Sequence, residues 1–254
     1  MNKSTGFIGG GRITRIILQA FQNKGFTPVR VMITDTNPEV LGKLRKQYPF
    51  ITEGSAEEVA KQQILFIALH APAIIETLEK LKEFISPDAV VISLAPKITI
   101  EKISGILNGH KHVVRLIPNA TSVINKGCNP ITFSTGLSGR EEILDLLTLL
   151  GDTFETEESK LEAYAIVSAM LPTYFWFQWQ EMHQIGKKMG LTDNELNDTV
   201  EKTLIAAIET LYHSGMSYEE VIDLIPVRPI AAHEPLIKEI LSNTLSTLFE
   251  KIKP

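Results

Sequence analysis

Three consecutive glycines, Gly9-Gly10-Gly11, stand between a short apolar run and an amphipathic one. Gly6-Phe7-Ile8 precede them, and Ile13, Ile16, Ile17, Ala20 and Phe21 follow at helical spacing. A strand that passes through glycines into a helix is the opening of a dinucleotide-binding βαβ unit. In that unit Gly9 makes the tight turn. Gly11, lacking Cβ, lets the backbone approach a pyrophosphate. Gly10, Arg12 and Ile13 complete the turn, where free N–H groups and the helix macrodipole favour an anion. The third position of the motif, usually Gly or Ala, is Thr14, so strand and helix must accept a larger contact there. The alternative is a tight turn with no ligand.

The rest of the first half repeats the alternation. Val29 to Thr34 is β-branched and reads as a second strand ending at Asp35. An acidic residue there is placed to hold a ribose hydroxyl, with Thr36 beside it; a helix cap is the competing role for Asp35. Pro38 suits the first position of the next helix. Ser55 and Glu58 form a capping-box pattern. Ile64 to Leu69 is continuously apolar, as in a strand buried on both faces of a parallel sheet. Ala68, Leu69 and His70 close it, and Pro72 leads a helix. Ala89 to Leu94 ends in Ala95-Pro96-Lys97, and Val113 to Ile117 ends in Pro118-Asn119. Ligands in open α/β sheets lie at the carboxyl ends of the strands, so these ends are expected to share one crevice.

After Glu157 the pattern turns helical, with capping boxes at Thr192–Glu195 and Ser217–Glu220. The fold expected is α/β: a Rossmann-type doubly wound sheet over residues 1–157, then an all-helical domain over 158–254. A formal charge of −5 opposes general nucleic-acid binding. Cys128 is the single cysteine, which excludes an internal disulfide and a cysteine-based zinc site, and no histidine pair has ligand spacing, so no metal is expected. There is no signal-peptide pattern, and no apolar run reaches the ~18 residues of a membrane span. The expectation is a cytoplasmic protein with a small-molecule substrate.

Five segments carry a resemblance to the pyrroline-5-carboxylate reductase family: Gly6-Phe-Ile-Gly-Gly-Gly11, Ala68-Leu-His-Ala71, Val91-Ile-Ser-Leu-Ala95, Arg115-Leu-Ile-Pro-Asn119 and Val167-Ser-Ala-Met-Leu-Pro-Thr-Tyr174. The resemblance implies NADP or NAD as cofactor, reduction of a cyclic imine acid to proline, and pairing of the helical domain into a homodimer. It adds His70 and Asn119 to the cofactor residues; the competing roles are a solvated loop histidine and an Asx-turn. The aromatic run Tyr174 to Trp179 reads as helix and dimer core, since aromatic side chains dominate cores and interfaces; a stacking platform is the alternative.

The sequence departs from the family at three places. The family's Ala-Ala-Gly is Ala95-Pro96-Lys97, and its Gly-Ser-Gly is Ala169-Met170-Leu171. The Ser-Pro-Gly-Gly-Thr-Thr loop, which in relatives holds the substrate carboxylate, is Val227-Arg228-Pro229-Ile230-Ala231-Ala232. Pro229 has no N–H to donate, and Ala231 and Ala232 replace the threonines. Arg228 offers a fork of donors suited to a carboxylate, with Lys97 as a second cation; a solvated Arg228 is the alternative. The substrates that remain open are this imine acid, another imine or keto acid, or none, as in a dinucleotide sensor.

Overall fold

The computed structural model describes residues 3–254. Its first half alternates strands and helices: β1 (Thr5–Ile8), α1 (Arg12–Asn23), β2 (Val31–Thr34), α2 (Pro38–Gln47), β3 (Ile51–Glu53), α3 (Ala56–Ala60), β4 (Ile64–Ile67), α4 (Ala71–Leu81), β5 (Val90–Ser93), α5 (Ile100–Ile106) and β6 (Val113–Leu116). Then come β7 (Gly127–Phe133), α6 (Arg140–Thr148) and β8 (Gly151–Glu155). Among the described residues these strands form one eight-stranded sheet in the order β3-β2-β1-β4-β5-β6-β7-β8. The pairing is parallel throughout, except that β7 runs antiparallel to β6. The strand order reverses direction at β1 and β4, which is where a crevice opens in such sheets.

Alternation along the strands sorts side chains onto two faces. Phe7, Ile33, Phe66, Ile92 and Val114 face α1 and α6 through Ile17, Phe21, Ile143 and Leu147. Phe7 and Phe66 are register partners, and their rings stack at 4.6 Å. Ile8, Met32, Leu65, Ile67 and Val91 face α3, α4 and α5 through Val59, Ile74, Leu78 and Ile103. With both faces covered, β4 is buried at every position, as its unbroken apolar run requires.

Some boundaries differ from the sequence pattern. Val29, expected in β2, lies outside the sheet and is 65% exposed. β3 was too short, and its outer residues too polar, to read from periodicity. The helical pattern begins at residue 158, but the first compact unit extends to Met170 and includes Leu248–Pro254. The reason is packing: Leu161 and Ala165 are buried with Ile117 at the end of β6, and Ile252 lies against the same cluster.

This stretch comprises α7 (Leu161–Tyr164) and a π-helical turn over Ala165–Ala169, in which Met170 N–H donates to the Ala165 carbonyl. The second unit, Leu171–Thr247, is helical: α8 (Leu171–Lys188), α9 (Asp193–His213), α10 (Tyr218–Asp223) and most of α11 (Glu234–Ile252). Each of the three capping boxes read from the sequence forms both of its hydrogen bonds. Among the described residues no helix is long and apolar enough to cross a membrane.

Candidate functional site

A cleft of about 670 Å³ opens at the carboxyl ends of β1, β4 and β5, lined by Gly11 to Ile13, Ala68 to Pro72 and Leu94 to Pro96. The three glycines of the turn, of which Gly11 lines the cleft, have different local surroundings. Gly9 has φ +101°, and a Cβ there would stand 2.5 Å from the Ala68 carbonyl oxygen. That position needs both the left-handed backbone and the close approach to β4. Gly10 packs under α2, where a Cβ would meet Leu44 at 2.9 Å. Gly11 is the N-cap of α1 with an ordinary φ of −69°, and no atom lies within 4 Å of its missing Cβ. Gly11 lines the cleft together with Arg12 and Ile13 at the N-terminus of α1 and leaves room beside its backbone, which fits a pyrophosphate.

Two side chains brace this turn. Thr14 is buried and donates its hydroxyl to the Gly9 carbonyl at 2.6 Å, which accounts for the larger residue at the third motif position. Asp35 accepts from Gly10 N–H at 2.7 Å through Oδ2, and from Asn37 N–H at 2.8 Å through Oδ1. Its carboxylate therefore ties the end of β2 to the glycine turn. The cap of α2 falls to Asn37, whose side chain accepts from Glu39 N–H. Thr36 is exposed beside it. Arg12 is exposed at the first position of α1, a location where the macrodipole disfavours a cation unless an anion is also held there.

Ala68, Leu69 and His70 line the cleft from β4, and Ala95 lines it from β5. His70 is exposed at the N-cap of α4 and makes no capping bond. Asn119, by contrast, is buried. Its Oδ1 accepts from the Thr121 N–H and hydroxyl, and its Nδ2 donates to the Ser168 carbonyl at 3.1 Å. The π-helical turn brings Ser168 to it, so Asn119 latches the segment after α7 to the end of β6.

The support of the β5 end is an ion-pair cluster not identified from the sequence. Arg115, fully buried, pairs with Glu158 at 3.0 Å and with Glu162, which is itself buried. The same carboxylates hold the next turn: Lys97 N–H donates to Glu162 Oε1 at 2.9 Å, and Ile100 N–H to Glu158 Oε1 at 2.7 Å. An arginine inside an apolar strand was the available signal, since a buried cation requires a partner.

A family model described as NADP oxidoreductase, coenzyme F420-dependent, matches residues 4–97. The pyrroline-5-carboxylate reductase of Pseudomonas aeruginosa is 22% identical over 249 residues, covering 96% of this chain and 91% of that protein. Pyrroline-5-carboxylate reductase 2 of Bacillus subtilis is 26% identical over 224 residues, covering 86% and 80%. Among solved structures, a Plasmodium falciparum pyrroline carboxylate reductase with NADP bound superposes with a TM-score of 0.80 at 18% identity, over 99% of this chain and 97% of that one. Both of these curated relatives are pyrroline-5-carboxylate reductases.

The departures from that family are visible in the structure. Lys97, at the family's glycine position, has φ +80°. In the second unit, Arg228 is exposed and forms an ion pair with Glu234, holding that carboxyl below its ordinary value. Ala231 is half-buried and Ala232 exposed in a single 3-10 turn, where Ala231 N–H donates to the Arg228 carbonyl.

Proposed function

We propose that this chain is an NAD(P)H-dependent reductase acting on the C=N bond of a cyclic imine acid, as pyrroline-5-carboxylate reductases do, and so serves proline formation. The observation that carries the proposal is the cleft itself: the open face of Gly11, the N-terminus of α1 and the ends of β4 and β5 meet in one place. When bound, a reduced nicotinamide supplies the hydride. The turn from Gly9 to Ile13 holds the pyrophosphate, and Asp35 and Thr36 hold the ribose next to it. Ala68, Leu69, His70 and Ala95 form the wall toward the reacting end. Asn119, which does not line the cleft, fixes the end of β6 to the segment after α7 through Ser168. No protein nucleophile is needed for this chemistry, so no catalytic residue is assigned. Asp35 favours NAD by repelling a 2′-phosphate, while Thr34, Thr36 and Asn37 offer that phosphate hydrogen bonds, so both cofactors are retained.

The substrate loop favours a second reading: a paralogue that reduces another imine or keto acid. Arg228 is neutralised by Glu234, Pro229 has no N–H, and Ala231 and Ala232 carry no hydroxyl. In both readings the protein is a cytoplasmic homodimer paired through its helical half. Support comes from apolar side chains left in water on α8, α9 and α11, among them Phe177 at 67%, Ile208 at 52% and Ile240 at 55% exposure.

The test is oxidation of NADPH and NADH by the purified protein with pyrroline-5-carboxylate, then with a panel of imines and keto acids. Turnover of pyrroline-5-carboxylate with proline as product supports the first reading, and turnover of another acid alone supports the second. Dinucleotide binding without turnover of any of them removes the enzyme and leaves a dinucleotide sensor.

A further inference from the structure

Among the described residues, the non-glycines at positive φ are Asn108, Asn125 and Lys97. Asparagine tolerates that region because its short polar side chain bonds locally; lysine does not. Lys97 is therefore the strained one, and its strain is imposed from outside. Its N–H is held by Glu162 Oε1, the Glu162 carboxylate is buried against Arg115, and Ile100 N–H is fixed by Glu158 three residues on. A glycine would meet the same constraints without strain. Strain retained at a fixed turn points to a role for the side chain.

The location suggests that role. Lys97 directly follows Ala95 and Pro96, which line the cleft. It is exposed, and its ammonium forms no ion pair among the described residues. β5 lies two strands from the glycine turn of β1, on the side away from β2 and Asp35. Two strand spacings are about 10 Å, so a dinucleotide whose pyrophosphate sits at Gly11 and whose ribose is held at Asp35 turns its other end toward β5. The loop bearing Arg228 offers no unpaired cation, because that guanidinium is engaged by Glu234.

We propose that the Lys97 ammonium is the group that recognises the substrate's carboxylate. This rests on the reductase reading above, so its test avoids turnover. The full-length protein is loaded with NADP⁺ and titrated calorimetrically with tetrahydrofuran-2-carboxylate and pyruvate, neither of which gives a hydride to NADP⁺, each beside its amide. These combinations do not transfer hydride from a reduced cofactor. At least one acid should bind about tenfold or more tighter than its amide. Lys97→Met and Lys97→Gly should abolish that preference with NADP⁺ affinity unchanged, and Lys97→Arg should retain it. Lys97→Gly should also raise Tm, which verifies that the fold is intact. An acid preference equal in the wild type and in both neutral variants, or no preference in the wild type, would overturn the proposal. Failure of the reductase reading would appear separately, as the absence of NAD(P)H oxidation by any imine or keto acid.

Discussion

At the scale of single residues, the glycine turn separates two properties that a motif match combines. Gly9 is glycine for the fold, with φ +101° and a backbone carbonyl 2.5 Å from its missing Cβ. Gly11 has an ordinary φ of −69° and nothing within 4 Å of its missing Cβ, so the fold does not require glycine there, and the proposed dinucleotide site supplies the reason. Gly9→Ala should destabilise the chain by about 2 kcal/mol or more, from the left-handed backbone and the clash together. Gly11→Ala should change stability by less than about 1 kcal/mol, because alanine restricts the unfolded chain but is a poorer N-cap than glycine for α1. Its effect should fall on the dinucleotide, with affinity lower by about tenfold. Thermal melts and calorimetry on the two variants check the pair. Equal Tm losses would show that both glycines serve only the fold.

At the scale of elements, the buried pair between β6 and α7 is the most consequential contact outside the apolar core. Glu162→Ala leaves the fully buried Arg115 with only Glu158, and it removes the acceptor of Lys97 N–H. The expected loss is ~3–5 kcal/mol by denaturant unfolding. The double variant Arg115→Met, Glu162→Leu should regain most of it, because the uncompensated charge is gone. A single-variant loss below about 1 kcal/mol would mean that the pair is not desolvated.

At the opposite end of the sheet, His110 is buried, and its Nε2 lies 2.8 Å from the Ala89 carbonyl. That oxygen only accepts, so Nε2 carries the proton of the neutral ring. Burial holds the His110 pKa below its ordinary 6.5. The unfolded chain therefore takes up this proton before the folded one does. Stability from this group is present above pH 6.5 and is lost as pH falls from there toward the lowered folded value. A His110→Gln variant should lose less stability than wild type over that window, measured by urea unfolding at matched pH values. The same elements show which features periodicity revealed. The apolar runs of β4, β5 and β6 and the capping boxes at Ser55, Thr192 and Ser217 are local signals, and each formed its element. The antiparallel β7, the π-helical turn carrying Ser168, and the Arg115–Glu162 pair depend on partners 10 to 49 residues away, which no local pattern encodes. Asn119 illustrates the limit: its place at a strand end was legible, but its bonds to Ser168 were not.

At the scale of the whole molecule, the two compact units carry different questions. The helical unit leaves Trp176 and Phe177 on α8 exposed, which a dimer interface would cover. Light scattering at micromolar concentration should give twice the chain mass of 28.3 kDa, and a monomer there would count against the paired helical half. The sheet unit carries the central claim, that the cleft over Gly11 is a dinucleotide site. Calorimetric titration of the full-length protein with NADPH and with NADH addresses it most directly. At least one of them should bind with one site per chain, and Gly11→Ala should weaken that binding at unchanged Tm. No heat from either dinucleotide at concentrations well above the usual cofactor range would refute the reductase and the sensor together.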